Sequence, residues 1–275
     1  MSIRCIALDL DRTTLGVDGR LSHGNRQALE EAIAQDVHII IASGRPFGSL
    51  PQDVASIPGI EYAITSNGAA VYHLPTGRRL RGFLLEPASV HAILRLTESE
   101  PLAYEAFVDG EAFAGAAYVR DPAAHGASPQ AIGYIQRTRR PVEDMRAFIT
   151  AHAAELDSLD LVVGDEARKA RLWAALETEI PGIYVTSSVP QLIEISHASA
   201  GKRAGVRFVT ELLGLSPAQT AAFGDGDNDA DMLRYVGLGV AVANASPACL
   251  AAADCVTASY DQDGVAQGIH NILCL

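Results

Sequence analysis

The sequence predicts an α/β protein: a doubly wound parallel sheet interrupted by an inserted α+β domain. Three observations lead there. Residues 3–68 alternate short apolar runs with helix-length stretches, the rhythm of parallel strands joined by right-handed crossovers. The same rhythm returns near Leu192. Between about Gly82 and Ser187 it breaks into helical patterns mixed with short strand-like runs. The chain is therefore expected to form a discontinuous core, residues 1–82 and 188–275, around an insert, residues 83–187.

The first strand ends in Ile6, Ala7 and Leu8, apolar on both faces as in a buried parallel sheet. Ser22 is placed to cap a helix whose Ala28, Leu29, Ala32 and Ile33 fall at helical spacing. Val37 to Ala42 reads as a second strand, closed by Ser43-Gly44-Arg45-Pro46, and Tyr62 to Thr65 as a third, closed by Ser66-Asn67-Gly68. In the insert, helices are expected near 89–98, 142–156 and 165–180, and strands near 102–108 and 160–163. Residues 120–130, rich in Pro, Ala and Gly, read as a loop, and Trp173 is assigned to core packing before a substrate wall. The core resumes with a helix over 202–213, a strand over 220–223, a strand over 238–242, a helix near 247–252 and a closing helix from Gly264.

Composition narrows the function. The 275 residues are 48% hydrophobic and 20% charged, with a formal charge of −12. That balance excludes a general nucleic-acid surface or an anionic membrane surface, which need clustered Lys and Arg. No apolar run approaches the roughly 20 residues of a membrane span. The N-terminal apolar run is too short for a signal peptide and ends in acids, so a cytoplasmic protein is expected. Cys5, Cys249, Cys255 and Cys274 form no CxxC pair and read as buried or half-buried reduced thiols, while the scattered His residues argue against zinc.

The chemistry lies in the acids. Asp9 and Asp11 stand where a core strand emerges, a place where ligands bind in open α/β sheets and where two carboxylates need a compensating cation or a shared proton. A second strand runs into Gly224-Asp-Gly-Asp-Asn-Asp-Ala-Asp. A calcium loop is rejected, because its sixth and twelfth positions hold Ala230 and Val236 instead of Gly and Glu. If the two strands are near neighbours their acids converge, and an oxygen-only cluster suits Mg²⁺. Ser43-Gly44 at a strand end can cradle an anion. Lys202 at a helix start can hold a phosphate as a point charge, although Gly201-Lys202-Arg203 is no P-loop. Neither G-x-S-x-G nor G-x-G-x-x-G is present.

Together, Asp9-Leu-Asp-Arg-Thr, Ser43-Gly-Arg, Lys202 and Gly224-Asp-Gly-Asp-Asn-Asp resemble, in this order, the motifs of the haloacid dehalogenase (HAD) superfamily. Asn67-Gly68, Ala243-Asn-Ala-Ser-Pro and Asp263-Gly-Val-Ala resemble its Cof-type sugar-phosphatase-like branch. The resemblance covers 3–82 and about 188–275 and implies a Rossmann-like core with an inserted, mobile cap that reads the leaving group. It implies a Mg²⁺-dependent phosphatase of small phosphorylated metabolites, sugar phosphates first, existing as monomer or homodimer. Asp9 would be the nucleophile that becomes an aspartyl-phosphate, and Asp11 the acid and then base, its carbonyl on the metal. Asp9, Asp225 and Asp229 would complete the metal set. Ser43, Gly44, Lys202 and Asn228 would bind the phosphoryl group, and Arg45 and Asn67 would contact substrate. Arg12 stands where the family most often has Gly and is expected to face solvent. A phosphosugar mutase, or a non-catalytic phospho-receiver or metal-binding module, is the alternative; a dehalogenase needs no Mg²⁺ cluster and is disfavoured.

Overall fold

The computed structural model describes residues 2–275. Its strands in chain order are β1 (Cys5–Leu8), β2 (His38–Ala42), β3 (Ile60–Thr65), β4 (Ala70–His73), β5 (Arg78–Gly82), β6 (Ala103–Val108) and β7 (Glu111–Gly115). They continue as β8 (Arg140–Val142), β9 (Leu156–Val162), β10 (Ile183–Thr186), β11 (Leu192–His197), β12 (Thr220–Gly224), β13 (Leu238–Val242) and β14 (Cys255–Thr257). The chain forms two compact units, one of Met1–Arg45, Leu50–Arg81 and Gly201–Leu275, the other of Pro46–Ser49 and Gly82–Ala200. Among the described residues, no helix is long and apolar enough to cross a membrane.

The first unit is built on an eight-stranded sheet in the order β14-β13-β12-β1-β2-β3-β4-β5. From β14 to β3 the neighbours run parallel, and β4 returns antiparallel to β3. Cys5 to Leu8 and Ile39 to Ala42 are buried, because helices cover both faces and apolar residues are needed throughout. The helix His23–Ala34 starts where Ser22 accepts a hydrogen bond from the Asn25 N–H, and it buries Ala28, Leu29 and Ala32. Asn25 itself is buried. Its amide donates to Thr14 O at 2.9 Å and accepts from Ala266 N at 2.9 Å, tying the loop after β1 to the C-terminal helix. Strand order reverses at β1, which lies between β12 and β2, and this switch point is where α/β sheets open a crevice.

The second unit carries a six-stranded sheet, β10-β11-β9-β6-β7-β8, antiparallel except for β7 with β8. One face is apolar: Tyr104, Leu159, Leu161, Ile193 and Ile195 pack with residues of the helices Pro87–Leu96, Met145–Ala151 and Glu166–Glu179. Trp173 packs against this cluster, as the sequence suggests, and also lines a cavity of ≈ 700 Å³ with Lys169 and Pro190. The other face carries a row of acids. Glu105 pairs in register with Asp160, and Asp160 with Glu194, all buried, with the Arg139 guanidinium 2.6 Å from Glu105. Burial first, then the charges of Glu194 and Glu105, hold the Asp160 carboxyl well above the usual carboxylate range.

A group whose pKa is raised by folding contributes stability that is complete below its unfolded pKa and is lost as pH rises through the folded value. Removing the cation exaggerates this. Arg139→Leu is expected to destabilise the chain by about 3–5 kcal/mol at pH 8, because it strands buried charge, and by much less at pH 5. Urea unfolding at the two pH values checks it; an equal loss at both would reject the shared-charge account.

The structure corrects three expectations. Leu192–His197 pairs with β9 in the second sheet, so the boundary read at 187/188 falls at Ala200/Gly201. The alternation of Leu192, Glu194 and Ser196 with Ile193 and Ile195 suits either sheet, which is why periodicity misplaced it. The loop read over 120–130 is only partly a loop: a short 3₁₀ turn spans Ala123–His125, and the helix Pro129–Thr138 starts on a proline, which is tolerated in a first turn. Cys274 is exposed, whereas Cys5 and Cys249 are buried and Cys255 is intermediate.

Candidate active site

The site grows from the pairing of β1 with β12. Leu8 is in register with Phe223, and Asp9 N donates to Phe223 O at 3.0 Å, so Asp9 and Asp225 leave the sheet side by side. Asp229 is brought back to them by the tight turn after Gly224. A Cβ at Gly224 would lie 2.5 Å from Asp229 Cβ, so only glycine lets the turn fold this closely. Asp229 Oδ2 accepts from Asp225 N at 3.1 Å and Gly226 N at 2.9 Å. Ligand oxygens of Asp9, Asp225 and Asp229 lie within 4.8 Å of one another, and all three residues are buried.

Lys202 enters from the start of the helix Lys202–Leu212. It is fully buried, and its Nζ donates at 2.6 Å to Asp9 Oδ1 and at 2.6 Å to Asp229 Oδ1. Burial alone would lower its pKa, but Asp229 and Asp9 hold it above the ordinary lysine value. Among the described residues of the site, Lys202 is the one buried cation against three buried acids, and that excess of negative charge disfavours their ionised forms. Burial raises Asp9 well above the usual range despite Lys202, and burial with Asp229 pushes Asp225 up to about 7 against Arg12 and Lys202. An all-oxygen donor set with excess negative charge fits a hard divalent cation.

The remaining sequence-named residues fall into two groups. Ser43 is buried at the end of β2. Its Oγ accepts from Arg45 N at 3.1 Å, which leaves the hydroxyl proton to give, and Gly44 lies between these two residues. Asn228 is buried and its amide donates to Asn67 Oδ1 at 2.9 Å. Asn67 is itself buried, at φ 51°, its carbonyl accepting from Gly201 N at 2.8 Å. Gly68, at φ 88°, is pressed so close to Gly201 that a Cβ would lie 2.1 Å from its carbonyl oxygen. The structure thus links Asn67 to Asn228 and to the Lys202 turn.

Asp11 stands apart. Its carboxylate is half exposed and outside the buried cluster, held bidentately by Arg45 at 2.8 Å and 2.6 Å. Both residues stand out in the sequence but their pairing does not, since nothing local marks a contact across 34 positions. Nor does the sequence alone mark a role for Thr13, whose hydroxyl donates to Asp225 at 3.2 Å, or for Ser246, which donates to Asp227 at 2.5 Å. Arg12 does not simply face solvent. It is half exposed, with φ 61°, and keeps Nε 3.9 Å from Asp225. That left-handed backbone is one that glycine adopts without strain.

The chain is similar to known proteins along nearly its whole length. A sequence profile of the family described as haloacid dehalogenase-like hydrolase matches residues 6–269. Phosphatase YwpJ of Bacillus subtilis is 28% identical over 98% of this chain and 100% of its own length. The 5-amino-6-(5-phospho-D-ribitylamino)uracil phosphatase YcsE of the same organism is 27% identical over 98% and 96%. A solved haloacid dehalogenase-like hydrolase from B. subtilis superposes with TM-score 0.85 at 23% identity, covering 98% of this chain and 100% of that one. The subclass IIB sugar phosphatase BT4131 superposes with TM-score 0.81 at 20% identity, over 99% and 100%.

Proposed function

The chain belongs to the haloacid dehalogenase-like hydrolase family, in its Cof-type branch, and is a phosphatase of small phosphorylated substrates; on that premise we propose that it hydrolyses sugar phosphates in the cytoplasm, with Mg²⁺ as its metal and Asp9 as nucleophile. The observation that carries the reading is the buried group of Asp9, Asp225 and Asp229 around Lys202. Members of the family generally use a divalent metal, and the three carboxylates with the Asp11 carbonyl would hold it. When bound, the metal offsets the charge of these acids and of the substrate phosphoryl group.

Asp9 attacks phosphorus, and the bond to the leaving oxygen breaks as Asp11 gives that oxygen a proton. The aspartyl-phosphate is then hydrolysed by a water from which Asp11 takes a proton, restoring both carboxyl groups. Both Asp11 oxygens are held by Arg45, so acid–base work requires that pair to open first. Ser43, Gly44, Lys202 and Asn228 hold the phosphoryl oxygens. Asn67 acts through Asn228, to which it is bonded. The resemblance supports giving choice of leaving group to the inserted unit.

Phosphate release from a panel of phosphorylated sugars, nucleotides and cofactors, with Mg²⁺ and with chelator, tests the reading. Turnover that needs Mg²⁺ and ranks sugar phosphates first is expected. Phosphate retained on Asp9 without release would replace it with a receiver, and isomerised sugar phosphate without free phosphate would replace it with a mutase.

A further inference from the structure

Three cations among the described residues contact the acids that follow β1 and β12 in the first unit, and two are committed. Lys202 is consumed by Asp9 and Asp229, and Arg45 by Asp11. Arg12 differs. Among the described residues its guanidinium has one ionic contact, the 3.9 Å approach to Asp225, and no hydrogen bond. Asp225 does not depend on it for a donor, since Thr13 already supplies one at 3.2 Å. The main chain at Arg12 is pinned, its carbonyl accepting from Asn244 at 3.0 Å, while the side chain stays 53% exposed. A left-handed backbone there would be cheaper for glycine, so the long cation is kept against a conformational preference. Arg12 also directly follows Asp11, the residue that protonates the leaving oxygen in the reading above.

We propose that Arg12 reads a second anionic group on the leaving side of the substrate, so that the preferred substrates are phosphate monoesters that also carry a carboxylate or a second phosphate. The inference rests on the phosphatase reading of Asp9 and Asp11. The chemistry is that of a planar guanidinium with its terminal donors uncommitted, which pairs bidentately with carboxylate or phosphate. A chain of formal charge −12 with three buried acids at its site otherwise repels a doubly anionic substrate, and an exposed cation at the rim counters that.

The test uses matched probes on the full chain with Mg²⁺ present: glycerol 3-phosphate against 3-phosphoglycerate for the carboxylate, fructose 6-phosphate against fructose 1,6-bisphosphate for the second phosphate. The readout is the ratio of kcat/KM within each pair, which cancels any effect of Arg12 on Asp225 and on what Asp225 binds. Arg12→Gly is expected to lower the ratio in favour of the doubly anionic member roughly tenfold in at least one pair, and Arg12→Lys to restore part of it. The pair that responds identifies the second anion. Ratios within twofold of the parent in both pairs overturn the proposal. Arg12→Gly relieves the left-handed strain, so its melting temperature should not fall, and a fall would mark a structural role instead. Calorimetric titration of the same probes into Asp9→Asn protein, with and without Arg12→Gly, separates the two readings. Selective binding that depends on Arg12, with no phosphate released from any probe by the parent chain carrying Asp9, would keep the anion site and sink the phosphatase; hydrolysis by the parent with unmoved ratios would do the reverse.

Discussion

Asp9→Asn lowers phosphate release by roughly 10⁴-fold or more while leaving the melting temperature unchanged or higher. The two halves of this expectation have one physical source. Asp9 is 6% exposed and faces Asp225 and Asp229, so burial and like charge make its ionised form unfavourable in the folded chain. The neutral amide fills the same space without that repulsion, and Lys202 keeps its bond to Asp229. The amide is no nucleophile, so the aspartyl-phosphate cannot form. Phosphate release and thermal melting of parent and variant check the pair of effects. Residual activity above a tenth of the parent would end the nucleophile assignment.

Lys202→Met lowers stability by about 3–5 kcal/mol at pH 8, together with loss of turnover. The side chain is fully buried, and its removal leaves three converging carboxylates with no buried cation. The sign of the pH effect follows. Asp9 and Asp225 have folded pKa values above the unfolded ones, Asp225 at about 7 against 3.8. Such groups favour the folded state when protonated and disfavour it when ionised. The deficit therefore shrinks as pH falls below about 7 toward the unfolded value. Saturating Mg²⁺ should restore part of it at pH 8 by binding the folded form. Denaturant unfolding at pH 5.5 and 8 decides the matter, and a deficit independent of pH would show that Lys202 matters for packing instead of charge.

Much of this site was legible because its chemistry dictates spacing. Asp9 and Asp225 had to follow core strands directly, and a strand of Ile, Ala and Leu that stops on acids is conspicuous in any sequence. The neighbouring order of β1 and β12, only conditional in the sequence, is what turns two motifs into one cluster. What stayed hidden depends on contacts across the chain. The Arg45 clamp on Asp11 joins two exposed-looking residues with no local pattern. In the second unit β7 and β8 are short and carry Glu111 and Arg140, so they lack the long apolar runs that betray strands, whereas β10, Ile183–Thr186, has strand composition but only four residues. Nothing local in the sequence marks Glu105, Asp160 and Glu194 as buried; the sheet register alone sets them side by side, on the face away from the apolar cluster.

The partner of β1 on one side is β2, some 30 residues on, but on the other side it is β12, which begins at Thr220. During synthesis, one edge of the first strand therefore waits bare while the whole second unit is made, and a buried apolar strand with an open edge invites pairing with another chain. Lys202 and the Gly224 turn also emerge late, so the acids and their lysine assemble last. Nascent or truncated chains ending before Thr220 are consequently the forms of this protein most in need of a chaperone.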